Sequence, residues 1–113
     1  MDKIVFLTLN KIGVPCHLKG RKYIEFAVEK ILEDQFYVHD LMKCLYYETA
    51  KEFNTSVTNV ERGIRNAIIC TFNEVNWSEL NDIFGNCISK RTGMPDNKRF
   101  LAGVAEYIRH IDV

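Results

Sequence analysis

No excess of one charge, no long apolar run and no linker-like stretch occurs in this sequence. Lys and Arg number 15 and Asp and Glu 15, so no overall positive surplus advertises a nucleic-acid or acidic-membrane partner. The apolar N-terminal run Ile4 to Leu9 is too short to span a bilayer and lacks a small-residue cleavage site, which leads us to expect a cytoplasmic protein. Cys16, Cys44, Cys70 and Cys87 form no C-x-x-C pair, and no histidine pair stands near to complete a zinc site; reduced core thiols are expected. His17, His39 and His110 are dispersed. No H-E-x-x-H, G-x-S-x-G or glycine-rich phosphate loop occurs. Neither an enzyme nor a metal or other cofactor is expected.

What is present is 47% hydrophobic and 27% charged residues, a globular balance. In 113 residues this allows one core, so residues 1–113 are read as a single domain. The two prolines, Pro15 and Pro95, punctuate a series of helical patterns. The first helix runs from about Asp2 to Ile12 and stops at Gly13-Val14-Pro15. Gly20 opens the second, from Arg21 to about Asp34, with Tyr23, Ile24, Ala27, Val28, Ile31 and Leu32 on one face. A third, about His39 to Phe53, carries Leu41, Met42, Leu45, Tyr46, Thr49, Ala50 and Phe53. The fourth spans about Ser56 to Val75, the fifth Trp77 to Phe84, and the sixth about Asp96 to Ile111. In that last helix Phe100, Leu101, Val104, Ala105, Ile108 and Ile111 form the stripe, with Asp96 or Asn97 as N-cap. Six helices and no convincing strand predict an all-α fold.

The stretch from Tyr46 to Arg65 reads as a helix-turn-helix. Such a motif needs a small residue where its helices cross, a turn residue that adopts positive φ, and a buried branched residue in the second helix. Ala50, Asn54 and Val60 fit these places. At about 100° per residue, Val57, Val60, Ile64, Ala67, Ile68 and Thr71 fall on one side of the fourth helix. Thr58, Asn59, Arg62, Arg65 and Asn66 fall on the other, and Glu61 lies at the edge. These outward types match base edges in a major groove: arginine with guanine, asparagine with adenine, a carboxylate with the cytosine amino group. The plainer alternatives are a solvated face for the arginines and, for Glu61, a capping box with Thr58.

Three separated blocks carry a resemblance that covers nearly the whole chain. They are Ile12-Gly13-Val14-Pro15-Cys16-His17-Leu18-Lys19-Gly20 with Tyr23 and Ala27, then Ala50 to Thr55 with Val60 to Ile68. The last comprises Leu80, Ile83-Phe84-Gly85, Pro95-Asp96-Asn97 and Phe100. The chain resembles the C-terminal DNA-binding effector domain of the sporulation-initiation response regulator (stage 0 sporulation protein A) family of bacteria. That resemblance implies a six-helix domain whose fourth helix enters the major groove of short promoter boxes, with base contacts from the positions held here by Glu61, Arg62 and Arg65. Tyr47 stands where the family usually has proline, Gly63 where it has alanine, and Asn66 where it has histidine. The family's receiver domain has no counterpart here, so an excised domain or a stand-alone relative is expected.

Phosphate contacts are expected from cations flanking the recognition helix, namely Lys90, Arg91, Lys98 and Arg99 on one side and Lys19, Arg21 and Lys22 on the other. Ordinary surface charge is the alternative for each cluster. Double-stranded promoter DNA is the expected partner and the nucleoid the expected site of action. RNA polymerase and a second copy of the chain on DNA are further candidate partners. The competing reading is a helical interaction module that kept the fold and lost DNA binding.

Overall fold

The computed structural model describes residues 3–40, 44–73, 77–85 and 91–111. The described residues form six α-helices and no strand: α1 (Lys3–Ile12), α2 (Lys19–Glu33), α3 (Tyr46–Glu52), α4 (Val57–Asn73), α5 (Trp77–Phe84) and α6 (Asn97–Ile111). The expected all-α architecture is therefore found.

Helix α1 stops because Gly13 adopts a φ of 97°, a left-handed setting that glycine takes without strain. Its amide and that of Val14 then satisfy the carbonyls of Asn10 and Leu9 at 3.1 and 3.0 Å, the paired bonds of a Schellman ending. Helix α2 follows as the spine of the fold and packs against α1, α3, α4 and α6. Its apolar stripe Tyr23, Ile24, Ala27, Val28 and Ile31 is buried as the spacing predicts. It joins Val5, Leu9 and Ile12 of α1, Ile64 and Ile68 of α4, and Leu101 and Val104 of α6 in one core. Phe84 of α5 stacks on Phe100 of α6 at 4.9 Å between ring centroids and lies 5.8 Å from Phe72 of α4.

Gly20 does not merely open α2. It lies inside the helix, against α4, where a Cβ would stand 2.6 Å from the carbonyl carbon of Gly63. At Gly63 a Cβ would meet the Tyr23 ring at 2.9 Å. The two glycines thus let α2 and α4 cross backbone to backbone, and the glycine found where the family usually has alanine belongs to this close approach.

The third helix differs from its expected bounds. Gln35–His39 form a separate 3₁₀ turn, entered through the Asp34 side chain, which accepts from the Phe36 amide at 3.0 Å. A wide turn at Cys44 and Leu45 then leads into α3, with the Leu45 amide reaching back to the Asp40 carbonyl. An Asx-type cap at Asp34 competes with continuous helix here, which periodicity alone does not register. Leu41 and Met42, assigned to the core from the sequence, lie outside the described residues.

Two further expectations are corrected. Ile111, the end of the α6 stripe, is exposed in the last turn, beyond the neighbours that cover Ile108. Cys16, expected in the core, is exposed, its thiol donating to Asn10 Oδ1 at 3.5 Å; Cys44 and Cys70 are half-buried, and Cys87 lies outside the described residues.

Candidate nucleic-acid interface

The α3–turn–α4 unit is built by its backbone bonds. Asn54 has a φ of 52°, the left-handed setting that asparagine tolerates better than most residues. The Thr55 amide donates to the Ala50 carbonyl at 2.9 Å and the Asn54 amide to Lys51 at 3.4 Å, closing α3 with a second Schellman ending. Ser56 then caps α4, its hydroxyl accepting from the Asn59 amide at 3.1 Å. Ala50 and Val60 are buried on either side of this turn. All three residues assigned to the motif hold the expected places.

Capping by Ser56 answers the question over Glu61. Thr58 lies within the first turn of α4, so the capping box with Glu61 does not form. The Glu61 carboxylate instead accepts from Arg65 Nη2 at 2.7 Å, one helical turn on. Val60, Ile64, Ala67, Ile68 and Thr71 are buried and Val57 half-buried. On the outer face Thr58, Asn59, Arg62, Arg65 and Asn66 are exposed, and Glu61 is half-buried at the edge. Arg62 makes no ion pair among the described residues. Asn59 donates to Thr55 Oγ1 at 3.0 Å and so doubles as part of the turn.

A groove of about 570 Å³ runs along one flank of α4. Glu61, Arg65, Ile68 and Ile69 form its α4 wall, and Arg91, Met94, Pro95 and Lys98 its far side. The structure thereby brings Arg91 and Lys98 to the same concavity as Arg65. Arg99, the neighbouring cation, pairs instead with Asp96 at 2.8 Å, the residue whose carboxylate caps α6 by accepting from the Arg99 amide. Lys90 lies outside the described residues. Lys19 is exposed at the start of α2, next to Gly20 and hence beside the middle of α4. Lys22 faces another hollow, with Glu25 and Phe26.

Arg21 does not belong to the phosphate-binding set in which the sequence placed it. It is 2% exposed, and its guanidinium donates to the carbonyls of Val14 (2.7 Å) and Phe6 (3.1 Å), to Asn10 Oδ1 (2.9 Å) and to Glu25 Oε2 (2.7 Å). Five donors in a rigid fork suit this task, since one guanidinium meets the Val14 carbonyl just past α1, the Phe6 carbonyl within it and two side chains. Arg21 therefore ties α1 to α2 from inside. The two residues missed by sequence reasoning are Tyr46 and Asn97, which meet α4 from α3 and α6. The sequence offers Asn97 as a cap of α6, and that position is filled by Asp96.

Tyr47 is exposed in the first turn of α3, where a proline is also accommodated, so this departure leaves the core unchanged. Asn66 sits on the outer face, where a change of side chain alters what α4 presents rather than how it packs.

A left-handed turn between two packed helices, with the second presenting arginine, asparagine and threonine outward, defines a helix-turn-helix protein. The family model of the sporulation initiation factor Spo0A C-terminal domain matches residues 5–108, and the chain belongs to that family. It is a family of DNA-binding transcription regulators and not of enzymes. Among the described residues no helix is long and apolar enough to cross a membrane.

Proposed function

We propose that residues 1–113 form one sequence-specific DNA-binding domain that inserts α4 into the major groove of short promoter boxes. The observation that carries this reading is the outer face of α4, where Arg62 and Arg65 stand one turn apart on a helix held by a Schellman-closed turn. In this reading Arg62 and Arg65 donate to guanine, Asn66 and Asn59 approach adenine, Thr58 meets a thymine methyl or a phosphate, and Glu61 accepts from cytosine. Arg91 and Lys98 across the groove, with Lys90 and with Lys19 beside α4, supply phosphate contacts. Contact with RNA polymerase and pairing of two copies on DNA belong to the same reading.

The Glu61–Arg65 pair is compatible with base contact. Arg65 is 59% exposed, so parting from Glu61 costs about 0.3–0.5 kcal/mol. A bidentate arginine–guanine pair discriminates by about 1–3 kcal/mol, which outweighs that cost.

Selection of binding sites from random duplexes, followed by titration of the parent, Arg62→Ala and Arg65→Ala, tests the proposal. Each variant is expected to weaken binding to the selected site about tenfold or more and to leave nonspecific binding largely intact. Parent-like binding by both variants would refute the recognition face. No binding by the parent even at low salt would leave an interaction module of the same fold.

A further inference from the structure

Asn97 is the first residue of α6, yet its side chain serves other helices. With Asp96 as the cap, the Asn97 amide nitrogen donates to the carbonyl oxygen of Glu61 at 3.1 Å and to the Tyr46 hydroxyl at 3.1 Å. One amide group carries two N–H donors, so both bonds form together. They join α6 to α4 and α3 across 36 and 51 sequence positions.

The three parts of this clamp are firmly held. Tyr46 is 3% exposed, and Phe100, one turn beyond Asn97, is fully buried against Phe84. In a regular helix the Glu61 carbonyl also accepts from the Arg65 amide, so Asn97 grips the backbone turn that carries both residues. The groove that Asn97 lines has Glu61 and Arg65 on one wall and Arg91 and Lys98 on the other. Its position therefore fixes how far α4 stands from the wall that carries Arg91 and Lys98.

We infer that Asn97 is a positioning residue for sequence recognition, setting the height and rotation of the Glu61–Arg65 turn relative to the phosphate-binding side. The inference rests on the reading that α4 enters the major groove. Bidentate base contacts need donors placed within about 0.5 Å, whereas a lysine on a flexible stem reaches a phosphate from many positions. Loss of the clamp should therefore reduce discrimination between sequences more than it reduces affinity for DNA as such.

The test measures the ratio of selected-site to random-duplex affinity for the parent, Asn97→Ala, Arg65→Ala and the double variant, with thermal unfolding of each. Asn97→Ala is expected to lower the ratio about fivefold or more, and this loss should largely vanish in the Arg65→Ala background because both changes disable the same contact. Asn97→Asp keeps the side-chain shape and suits a helix N-terminus but lacks the donor. Its added charge acts on all sequences alike, so its ratio should fall as in the alanine variant, which secures the test if that variant folds poorly. An unchanged ratio in either folded variant, or an equal loss with and without Arg65, would overturn the inference and leave Asn97 a packing residue. Arg65→Ala alone separates the two levels: if it loses discrimination while Asn97→Ala does not, only the clamp is wrong. If the parent shows no sequence preference, the clamp and the recognition face fall together.

Discussion

Replacing Gly20 with alanine adds one methyl group at the tightest crossing in the fold. The new Cβ would lie 2.6 Å from the Gly63 carbonyl carbon, whereas carbon atoms in contact rest about 3.5–4.0 Å apart. Helices α2 and α4 must separate by roughly 1 Å, because the obstacle is backbone and cannot turn away. Overpacking of this kind costs about 1–3 kcal/mol, and a backbone obstacle puts Gly20 near the top of that range. Alanine in place of glycine inside a helix recovers about 1 kcal/mol. The net loss is then about 2 kcal/mol, which for a domain of this size corresponds to a fall in Tm of roughly 8 °C.

Gly63→Ala is the internal control. Its Cβ would meet the Tyr23 ring at 2.9 Å, and that ring, set edge-on to Phe53 at 5.4 Å, can tilt by a few tenths of an ångström. The propensity gain then offsets most of the strain, so Gly63→Ala should stay within about 1 kcal/mol of the parent. Circular-dichroism melts and calorimetry on both variants check the pair. Gly20→Ala as stable as the parent, or less damaging than Gly63→Ala, would refute the close crossing.

Arg21→Ala deprives the Val14 carbonyl, Asn10 and the Glu25 carboxylate of their buried donor and should cost about 3 kcal/mol or more in urea unfolding, with Arg21→Lys recovering only part of the loss. Glu61→Ala removes an exposed pair and no cap, so stability should change by only about 0.3–0.5 kcal/mol while base preference relaxes; a Tm fall of several degrees would restore a capping role. Burial raises the Tyr46 phenol above its usual 10.0, with Glu61 adding to the rise and the Asn97 bond opposing it. The folded state thus holds that proton more tightly, and its contribution is complete below about pH 10 and lost as pH rises through the folded value. Stability measured against pH should decline less steeply above that point in Tyr46→Phe than in the parent. Lys98→Ala and Arg91→Ala should each weaken binding to all duplexes and reduce the salt slope by about one unit; loss of preference at one base pair with the slope unchanged would count against phosphate contact.

Periodicity made the buried faces of α2, α4 and α6 legible, because each places apolar residues three and four apart over several turns. The turn at Asn54 was legible for another reason: few residues accept a left-handed backbone, so an asparagine between two periodic segments carries information. Side chains with two plausible employments were harder to read. Arg21 has the residue type of a phosphate ligand and sits between Lys19 and Lys22, but only the folded course of α1 shows the carbonyls waiting for it. The Asn97 contact with Glu61 links residues 36 positions apart, and Gly20 meets Gly63 across two helices. Neither relation has a local signature. The start of α3 at Tyr46 rather than near His39 was missed because Leu41, Leu45 and Tyr46 keep a helical spacing in the sequence, which does not register the separate 3₁₀ turn at Gln35–His39.

Zero net charge does not by itself suggest a nucleic-acid partner, but in the proposed reading that sum is too coarse a measure. A ligand responds to the local field and not to the sum over the chain. Glu25, Glu29, Glu48 and Glu52 line two hollows around Phe26 and Tyr47, where Lys22, Lys30 and Lys51 stand among them. Among the described residues that line the groove beside α4 the acids are Glu61 and Asp96, and each is engaged by an arginine within 2.8 Å. Arg91 and Lys98 line the same groove, and Arg62 stands on the adjoining outer face, so cations are present on this side although the whole chain carries as many acids as bases. In the proposed reading this neutral protein should bind DNA with a modest salt slope, set by the few cations at the interface. Its selectivity would then rest on the geometry of α4, which, as proposed, Asn97, Gly20 and the Asn54 turn help to fix.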